Sequence, residues 1–377
     1  MTSYRPVWAE VDLDAIRANV RMLRETVAPA QVLAVVKADG YGHGAVPVGR
    51  AALEAGAAAL GVALVEEGVT LRDAGIDAPI LVLSEPVPDA APYVVAHRLT
   101  PVVYTPRGIE ALAKAVAESG RDQPLPVHLK VDTGMHRVGA ATRDAAVLAR
   151  QIADRAELRL EGVCTHFAVA DEPDNPYTND QLASFDGVLA TLHGLGIEPD
   201  IVHTANTAAA IAFPSSRRDM VRAGIGIYGV APGPALANAL ALRPALAVKA
   251  HVSHVKPLSA GSRVSYGLRY TLANDSNIAT VPVGYGDGVP RNLAAGGGEV
   301  LVHGRRCRIA GTVTMDQLMV DVGSLPVVGG DEVVLLGRQG DEQITAAEWA
   351  ERLGTIAYEI VCGIGPRVPR EYVGTTS

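Results

Sequence analysis

The sequence has few cysteines, few lysines and no long apolar run. Its three cysteines lie far apart, at Cys164, Cys307 and Cys362. This spacing fits neither a metal-ligand set nor a disulfide framework, so we predict reduced thiols and no metal site. No stretch is long and apolar enough for a signal peptide or a membrane span. These absences favour a cytoplasmic protein that does not interact with membranes.

The chain also lacks an excess of positive charge. Lys and Arg number 33 against 41 Asp and Glu, which gives a formal net charge of -8. A chain of this balance offers no basic face to a phosphate backbone, so nucleic acid is not an expected partner. Lysine is rare, with five in 377 residues, and a lysine at the end of a predicted strand is therefore conspicuous.

The length and the 48% hydrophobic content predict two domains. Between about residues 30 and 225, short Val, Ile and Leu runs alternate with helical patterns such as Pro106–Ser119 and Asp180–Leu195. This alternation predicts an α/β fold, a TIM-type (β/α)8 barrel. The candidate strands are Val32–Val36, Ala59–Leu64, Pro79–Ser84, Leu99–Val103, Pro126–Val131, Leu158–Val163, Asp200–His203 and Asp219–Arg222.

An open doubly wound sheet is the alternative fold. It would carry a Gly-rich dinucleotide turn after its first strand, whereas the first turn here reads KADGYGHG. After about residue 240 the pattern changes to short strands separated by Gly, Pro and Asp, which predicts a mostly β C-terminal domain. We place the barrel at residues 1–238 and the β domain at 239–377. The candidate strands there are Val248–Val255, Asn277–Val283, Glu299–Val302, Arg308–Thr314, Leu318–Val322 and Glu332–Leu336.

Lys37 is the first functional candidate, because it directly follows the apolar run QVLAVV and active sites form at the carboxyl ends of barrel strands. A desolvated lysine amine is suited to Schiff-base chemistry. The alternative is a lysine that extends from a strand end into solvent. The loop that follows adds glycines that permit close backbone approach and two hydrogen-bonding side chains: Gly40, Gly42, Gly44, Tyr41 and His43.

The segment VVKADGYGHG resembles the cofactor-lysine motif of the alanine racemase family, fold type III of the pyridoxal-phosphate enzymes. Further segments resemble the family's motifs in the same order, from about residue 5 to 372. The resemblance implies a cytoplasmic homodimer that carries pyridoxal 5'-phosphate on Lys37. It also implies interconversion of L-alanine and D-alanine, with D-alanine used for cell-wall peptidoglycan.

The segment HLKVDTGMHRVG resembles the next motif of the family. Arg137 matches an arginine that approaches the phenolic oxygen of the cofactor, near the substrate. Lys130 matches a lysine that is often carbamylated, and a carbamate would be an anion able to pair with Arg137. The alternative is a plain lysine paired with Asp132.

Two further segments resemble parts of the family that contact the pyridine ring. EGVCTHFAVAD supplies His166, which by resemblance stacks beside the ring, although a buried core histidine is the alternative. Arg222 matches an arginine that hydrogen-bonds the pyridine nitrogen. A guanidinium does not readily give that nitrogen a proton, so the ring stays a weaker electron sink. Reprotonation at the α-carbon is then favoured over transamination or elimination.

Phosphate sites of barrels usually form at the loops after the last two strands. The segments HTANT and RAGIGIYG follow those strands, and IAYEIVCGIG lies near the C-terminus. The resemblance places the cofactor phosphate against a set of hydroxyls, amides and phenols from these segments and from the first loop. The set is Asn206, Thr207, Gly224, Ile225, Tyr41 and Tyr358.

Racemisation needs a base on each face of the α-carbon, and Lys37 can serve only one. The segment VSYG contains Tyr266, which matches the family's tyrosine that reaches the cofactor of the other subunit. A phenol is a poor base near neutral pH, so Tyr266 would need a cationic setting, such as a hydrogen-bonded line through His166 to Arg222. A tyrosine that only packs is the alternative.

Two segments of the β domain match the substrate entrance of the family. VGYGDGVPR supplies Tyr285 and Arg291, and GTVTMDQ supplies Met315, which is expected near the substrate carboxylate. The family usually has an arginine where this chain has Thr312, which leaves the charge of the entrance open.

Three other functions remain open from the sequence. The first is a related decarboxylase of basic or diamino acids, against which Arg222 and the Tyr266 motif argue. The second is a non-catalytic pyridoxal-phosphate carrier, which would not need a C-terminal domain. The third is a racemase of wider tolerance, because one methylene is typically discriminated by only about 1–3 kcal/mol.

Overall fold

The structure is a computed structural model and describes residues 4–374. The described chain divides into two compact units. The barrel unit consists of Ile16–Gly40 and Ala45–Arg243. The β unit consists of residues 4–15, Tyr41–Gly44 and residues 244–374. The single boundary predicted between residues 238 and 239 stays a prediction. In the structure, the β unit also includes the first strand and a four-residue loop.

The barrel unit confirms the predicted (β/α)8 fold. Its eight strands are parallel. They lie side by side in chain order, and the eighth strand pairs with the first. The barrel nearly closes where Asp219 N donates to Val202 O at 3.0 Å and Asn206 forms a parallel bridge with Arg222. The strands are Gln31–Val35, Ala59–Val62, Ile80–Val82, Thr100–Val103, Leu125–Asp132, Leu158–Cys164, Ile201–His203 and Met220–Ala223.

The helices of the barrel begin with clear local signals. Thr105 caps the helix Pro106–Ser119 by accepting from Gly108 N at 3.0 Å, Pro106 fixes its first turn, and Gly120 ends it in the left-handed region. The predicted bounds of this helix are therefore those of the structure. The α-helices of this part of the chain are Leu13–Val27, Ala45–Glu54, Val65–Asp73, Ala91–Ala96, Pro106–Ser119, Ala145–Ala153, Tyr177–Gly194 and Thr207–Ala212. The short strand Ala140–Ala141 pairs with the fifth barrel strand.

The β unit confirms the predicted mostly β domain and adds strands that the sequence did not assign to it. Val7–Asp12 pairs with Leu246–His251 on one side and with Arg370–Val373 on the other. The predicted single strand Val248–Val255 is wrong, because the chain forms two strands, Leu246–His251 and His254–Leu258. The remaining elements are the strands Arg263–Val264, Tyr270–Thr271, Ser276–Val281, Glu299–Val302, Arg305–Ile309, Leu318–Gly323, Glu332–Gln339 and Glu342–Ile344, and the helices Ala346–Leu353 and Ala357–Gly363.

No helix within residues 4–374 is long and apolar enough to cross a membrane.

Candidate active site

Lys37 begins a left-handed turn directly after the first barrel strand and Val36. Ala38 (φ 52°, ψ 51°), Asp39 (φ 48°, ψ 51°) and Tyr41 (φ 52°) adopt backbone angles that L-residues avoid. Each such residue costs roughly 1–2 kcal/mol, so the turn must be held by its surroundings. A conformation maintained against this cost is typical of a position where the direction of one side chain matters.

Two carboxylates hold this turn. Glu67 accepts hydrogen bonds from Ala38 N at 2.6 Å and from Ala63 N at 2.8 Å, which joins the turn to the loop after the second barrel strand. Asp39 accepts from Ala45 N at 2.8 Å and closes the other end of the turn. Glu67 was not predicted from the sequence, because no local pattern indicates a carboxylate that acts on a backbone 29 residues away.

Arg222 lies buried at the end of the eighth barrel strand and binds only uncharged acceptors. Its Nη1 donates to His203 Nδ1 at 2.8 Å, and its Nη2 donates to His166 Nδ1 at 3.2 Å. The carbonyl oxygens of Thr165, His203 and Thr204 accept the other hydrogen bonds at 2.7–2.9 Å. Within residues 4–374, Arg222 Nε–H has no hydrogen-bond partner. This leaves one donor of a buried residue for an acceptor that is not part of the chain.

The arginine fixes the tautomers of a buried row of side chains. Because Arg222 can only donate, His203 Nδ1 must accept and the ring proton lies on Nε2. His203 Nε2 then donates to His128 Nδ1 at 2.8 Å, and His128 Nε2 donates to Glu161 at 3.1 Å. The row therefore links the buried cation to a carboxylate through two neutral imidazoles. The segment HTANT contains His203, but no role was predicted from the sequence for His128, His203 or Glu161.

Burial keeps the histidines beside Arg222 neutral. It is the main cause that lowers the pKa of His166 and that of His203 well below the usual value, and the charge of Arg222 adds to both shifts. His166 Nδ1 accepts from Arg222, so its Nε2–H remains a donor. The predicted contact of His166 with Arg222 is thus present.

The lowered pKa of His203 predicts a loss of stability in weak acid. Below the ordinary histidine pKa of about 6.5, the unfolded chain binds a proton that the folded chain refuses, so this residue alone lowers the free energy of unfolding by about 1.4 kcal/mol per pH unit. His203→Gln should reduce the slope of unfolding free energy against pH by that amount between roughly pH 6 and 5. Denaturant unfolding at several pH values measures it. The exposed His254→Gln is the control, and equal slopes for wild type and His203→Gln would contradict the prediction.

Lys130 lies buried in the fifth barrel strand among positive charges. Burial is the main cause that lowers its pKa, and the charges of Arg222 and Arg137 add to the shift. Asp132 does not pair with it, because that carboxylate accepts from Gly134 N and from the backbone and ring of His136. The alternative of a plain Lys130–Asp132 ion pair is therefore wrong. A lysine with a lowered pKa presents more neutral amine, which is the form that reacts with carbon dioxide.

The loops after the seventh and eighth barrel strands meet at Thr207. Its Oγ1 accepts from Gly224 N at 3.0 Å, and the side chain of Asn206 caps the helix Thr207–Ala212 by accepting from Ala209 N at 2.9 Å. Gly224 precedes the short helix Ile225–Tyr228. The beginnings of two helical segments thus meet through one hydrogen bond between Gly224 N and the Thr207 hydroxyl, and helix beginnings are where anions such as phosphate bind.

Within the β unit, Tyr41 packs against Tyr358, with ring centroids 6.2 Å apart. Burial is the main cause that raises the pKa of the Tyr41 phenol well above its usual value, and Tyr358 adds to the shift. Tyr41 therefore keeps its proton and can act as a hydrogen-bond donor.

Tyr266 stands on a tight turn between the strands Arg263–Val264 and Tyr270–Thr271, and 72% of it is exposed. Thr312 fixes the turn from the neighbouring loop, since its hydroxyl donates to Tyr266 O at 2.9 Å. Ser265 Oγ donates in return to Thr312 O at 2.6 Å. Thr312 therefore holds the segment that carries Tyr266.

Tyr285 and Met315 lie on two loops of the β unit that are tied to each other. Tyr285 N donates to Thr314 O and Gly286 N donates to Met315 O, both at 2.9 Å. Both side chains are exposed, as is Arg291. The predicted entrance residue and the predicted substrate residue are therefore neighbours.

The buried Asp287 anchors the loop that carries Tyr285. It accepts from both terminal nitrogens of Arg5, at 2.7 and 2.8 Å, and from Gly284 N at 3.0 Å. Arg367 lies 3.4 Å from the same carboxylate and donates to Asp316 at 2.7 Å. This anchor was not predicted from the sequence, because Arg5 and Asp287 are 282 residues apart.

A parallel barrel whose polar side chains gather at the carboxyl ends of its strands, with an amide cradle after the last two, is the architecture of an enzyme. The chain matches the model of the alanine racemase N-terminal domain over residues 11–232 and that of the alanine racemase C-terminal domain over residues 245–372. The chain belongs to the alanine racemase family. This confirms the predicted family and the prediction of an enzyme.

Individual relatives cover the chain almost completely. Alanine racemase of Symbiobacterium thermophilum is 51% identical over 374 residues, which are 99% of this chain and 98% of that protein. The crystal structure of alanine racemase from D-cycloserine producing Streptomyces lavendulae is 41% identical, has a TM-score of 0.94 and aligns over 100% of this chain and 99% of that one. Histidine racemase from Leuconostoc mesenteroides is 33% identical, has a TM-score of 0.91 and aligns over 99% of each chain.

Proposed function

We propose that this enzyme interconverts L-alanine and D-alanine with pyridoxal 5'-phosphate held on Lys37. One observation carries the proposal: the Nε–H of buried Arg222 has no hydrogen-bond partner within residues 4–374, so it offers one donor where a pyridine nitrogen would accept. A cofactor phosphate fits the cradle at Thr207, Gly224 and Ile225. Asn206 orients the cradle helix, His166 lies beside Arg222, and Tyr41 and Tyr358 are the proposed phenolic ligands. When bound, the cofactor supplies the electron sink that makes the α-proton of the amino acid acidic.

The residues of the chain have separate tasks in this reaction. Lys37 moves a proton on one face of the α-carbon. Tyr266 of a second copy moves the proton on the other face, with its hydroxyl next to the line from His166 to Arg222. Arg222 would donate to the ring nitrogen of the bound cofactor without giving it a proton, and this would favour return of the proton to the α-carbon. The exposed Tyr266 supports this role, because a side chain that is 72% exposed is available to a second subunit.

The identity of the amino-acid substrate is a separate part of the proposal. Arg137 and Met315 are the proposed contacts of the substrate carboxylate, while Tyr285 and Arg291 line the entrance. A histidine racemase shares this fold, so the family alone does not select alanine. We also propose a cytoplasmic homodimer that supplies D-alanine for peptidoglycan, in line with the family.

Product analysis with several amino acids tests this function. The holoenzyme is incubated separately with L-alanine, L-serine and L-histidine, and the enantiomers and any amines are separated by chiral chromatography. We expect D-alanine to form fastest and no amine to appear. A larger kcat/KM for histidine would move the function to another amino acid, and an amine product would identify a decarboxylase.

We further propose that Lys130 carries a carbamate that pairs with Arg137. The lowered pKa of Lys130 supports this, because the neutral amine attacks carbon dioxide. Protein incubated with ¹³C-labelled bicarbonate should show one carbamate signal in its ¹³C NMR spectrum. The signal should be lost in Lys130→Arg and kept in Lys114→Arg, which changes an exposed lysine. A spectrum without the signal, or a signal that persists in Lys130→Arg, would show that Lys130 is unmodified.

A further inference from the structure

The loops after the fifth and sixth barrel strands carry two of the proposed site residues. The loop at residues 133–139 contains Arg137, and the loop at residues 165–170 contains His166. One buried side chain, the carboxamide of Gln181, binds both loops. No role was predicted from the sequence for this residue.

The Gln181 amide satisfies the backbone of the His166 loop at two points. Its Oε1 accepts from Ala168 N at 2.9 Å, and its Nε2 donates to His166 O at 3.2 Å. A carboxamide offers an acceptor and two N–H donors on one planar group, so it can serve both backbone groups at once. Gln181 is 1% exposed, so these hydrogen bonds form away from water.

The same amide nitrogen also reaches the Arg137 loop. Gln181 Nε2 donates to Thr133 Oγ1 at 3.3 Å, and the Thr133 hydroxyl forms a hydrogen bond of 2.8 Å with the Thr165 hydroxyl. Thr165 O accepts from Arg222 Nη2 at 2.7 Å. Hydrogen bonds through one residue of each loop therefore connect Gln181 to the buried arginine.

Tyr177 holds the Arg137 loop at a second point. It begins the helix Tyr177–Gly194, which also contains Gln181, and its hydroxyl donates to Gly134 O at 3.0 Å. The helix passes so close to the loop that a Cβ added to Gly134, at φ 141°, would lie 2.4 Å from the Tyr177 hydroxyl oxygen. The loop is therefore fixed to the helix at two places, while Arg137 itself is exposed.

We propose that Gln181 is a positioning residue, which fixes His166 and Arg137 from a single anchor on its helix. It acts through the backbone and the threonine hydroxyls of the two loops. The proposal rests on the proposed function for the tasks of His166 and Arg137, whereas the anchor itself rests on the hydrogen bonds. Tyr177 acts on the Arg137 loop alone, so variants of the two residues should have different effects.

Steady-state kinetics of the holoenzyme with L-alanine test the two attachments separately. Gln181→Leu keeps a side chain of similar size and removes three hydrogen bonds, so it should lower kcat/KM about tenfold, with part of the loss in kcat. Tyr177→Phe removes only the bond to Gly134 O and should raise KM about threefold while kcat is kept. Gln151→Leu, which changes an exposed glutamine of another barrel helix, is the control and should behave as wild type.

Gln181→Glu gives a readout that a loss of packing does not produce. A protonated carboxyl has an acceptor and an O–H donor, whereas a carboxylate cannot donate to His166 O. Burial raises the pKa of such a carboxyl, so its proton should be lost between about pH 6 and 9. Relative to wild type, kcat/KM should be nearly normal at the acidic end and about tenfold lower at the basic end. The ratio cancels the titration of shared groups such as His136, His166 and Asp132.

A second readout does not depend on alanine. In protein with ¹⁵N-labelled histidine, the ring signals of His166, assigned with His166→Gln, should show a neutral ring with its proton on Nε2. Gln181→Leu should mix the two tautomers, while Gln151→Leu should not. If the wild type forms no D-alanine and this difference is present, the proposed function fails and the anchor is supported.

Two results would overturn the proposal. One is a Gln181→Leu protein whose kinetic constants and His166 signals match those of the wild type. The other is a loss of kcat/KM in Gln181→Glu that stays constant across the pH range, because the amide would then only fill space. If Gln181→Leu does not fold, the pH dependence of Gln181→Glu decides alone.

Discussion

Replacing Lys37 by alanine should lower the formation of D-alanine from L-alanine by at least about 10⁴-fold, since one change removes a base and the attachment of the cofactor. The visible absorption of the bound cofactor should change with it. The expectation rests on the position of Lys37 at the start of a left-handed turn that Glu67 and Asp39 hold against its backbone cost. Because this turn fixes the direction of the Lys37 side chain, no other lysine of the chain should be able to take over its role.

The control for this variant is Lys114→Ala, which removes an exposed lysine ion-paired with Glu118. It should keep both the activity and the absorption of the wild type. Addition of methylamine to Lys37→Ala should restore part of the activity, because a free amine can replace the missing base. Activity of Lys37→Ala within tenfold of the wild type would exclude Lys37 as base and cofactor anchor.

Tyr266→Phe should lower racemisation by about 10²–10⁴-fold, the usual contribution of one positioned acid–base group. L-alanine and D-alanine have equal free energies in water, so kcat/KM must fall equally in both directions. A difference between the two enantiomers appears instead in the exchange of their α-protons with deuterated water. The enantiomer whose α-proton faces Lys37 should still exchange in the variant, while the other enantiomer should be almost inert.

The hydroxyl is the only atom that Tyr266→Phe removes, so packing of the ring is kept. Tyr93→Phe, which changes another exposed tyrosine, is the matched control and should behave as wild type. Equal and mild loss of exchange for both enantiomers would contradict the role of Tyr266 as the second base. If activity per chain also falls on dilution of the wild type, a base supplied by a second copy is supported.

The elements with strong local signals were predicted from the sequence. The helix Pro106–Ser119 has a threonine cap, a proline in its first turn and a glycine at its end, and the strand Glu299–Val302 lies between glycine-rich turns. The strand Val7–Asp12 was not placed in the β unit. Its alternating pattern shows a half-buried strand, but its partners near residues 248 and 370 follow only from long-range pairing.

The candidate site also contains residues with local sequence signals and residues whose contacts depend on the fold. Motifs predict Lys37, Arg222 and Tyr266 as site residues, because each lies in a segment with several matching neighbours. They did not identify the partners that fix these residues. Glu67 acts on backbone amides, and the row from His203 to Glu161 depends on three different strands facing one interior. Such contacts are set by the closed barrel, in which residues far apart in sequence share one layer.

The central claim is a two-base racemisation of alanine, and incubation of the holoenzyme with L-alanine in deuterated water tests it most directly. Chiral chromatography with mass detection follows both enantiomers through the first few per cent of reaction. The account predicts D-alanine that carries one solvent deuteron from the start, while the remaining L-alanine keeps its proton. D-alanine that retains the substrate proton would show a single base returning the same proton, and absence of D-alanine would contradict the proposed activity itself.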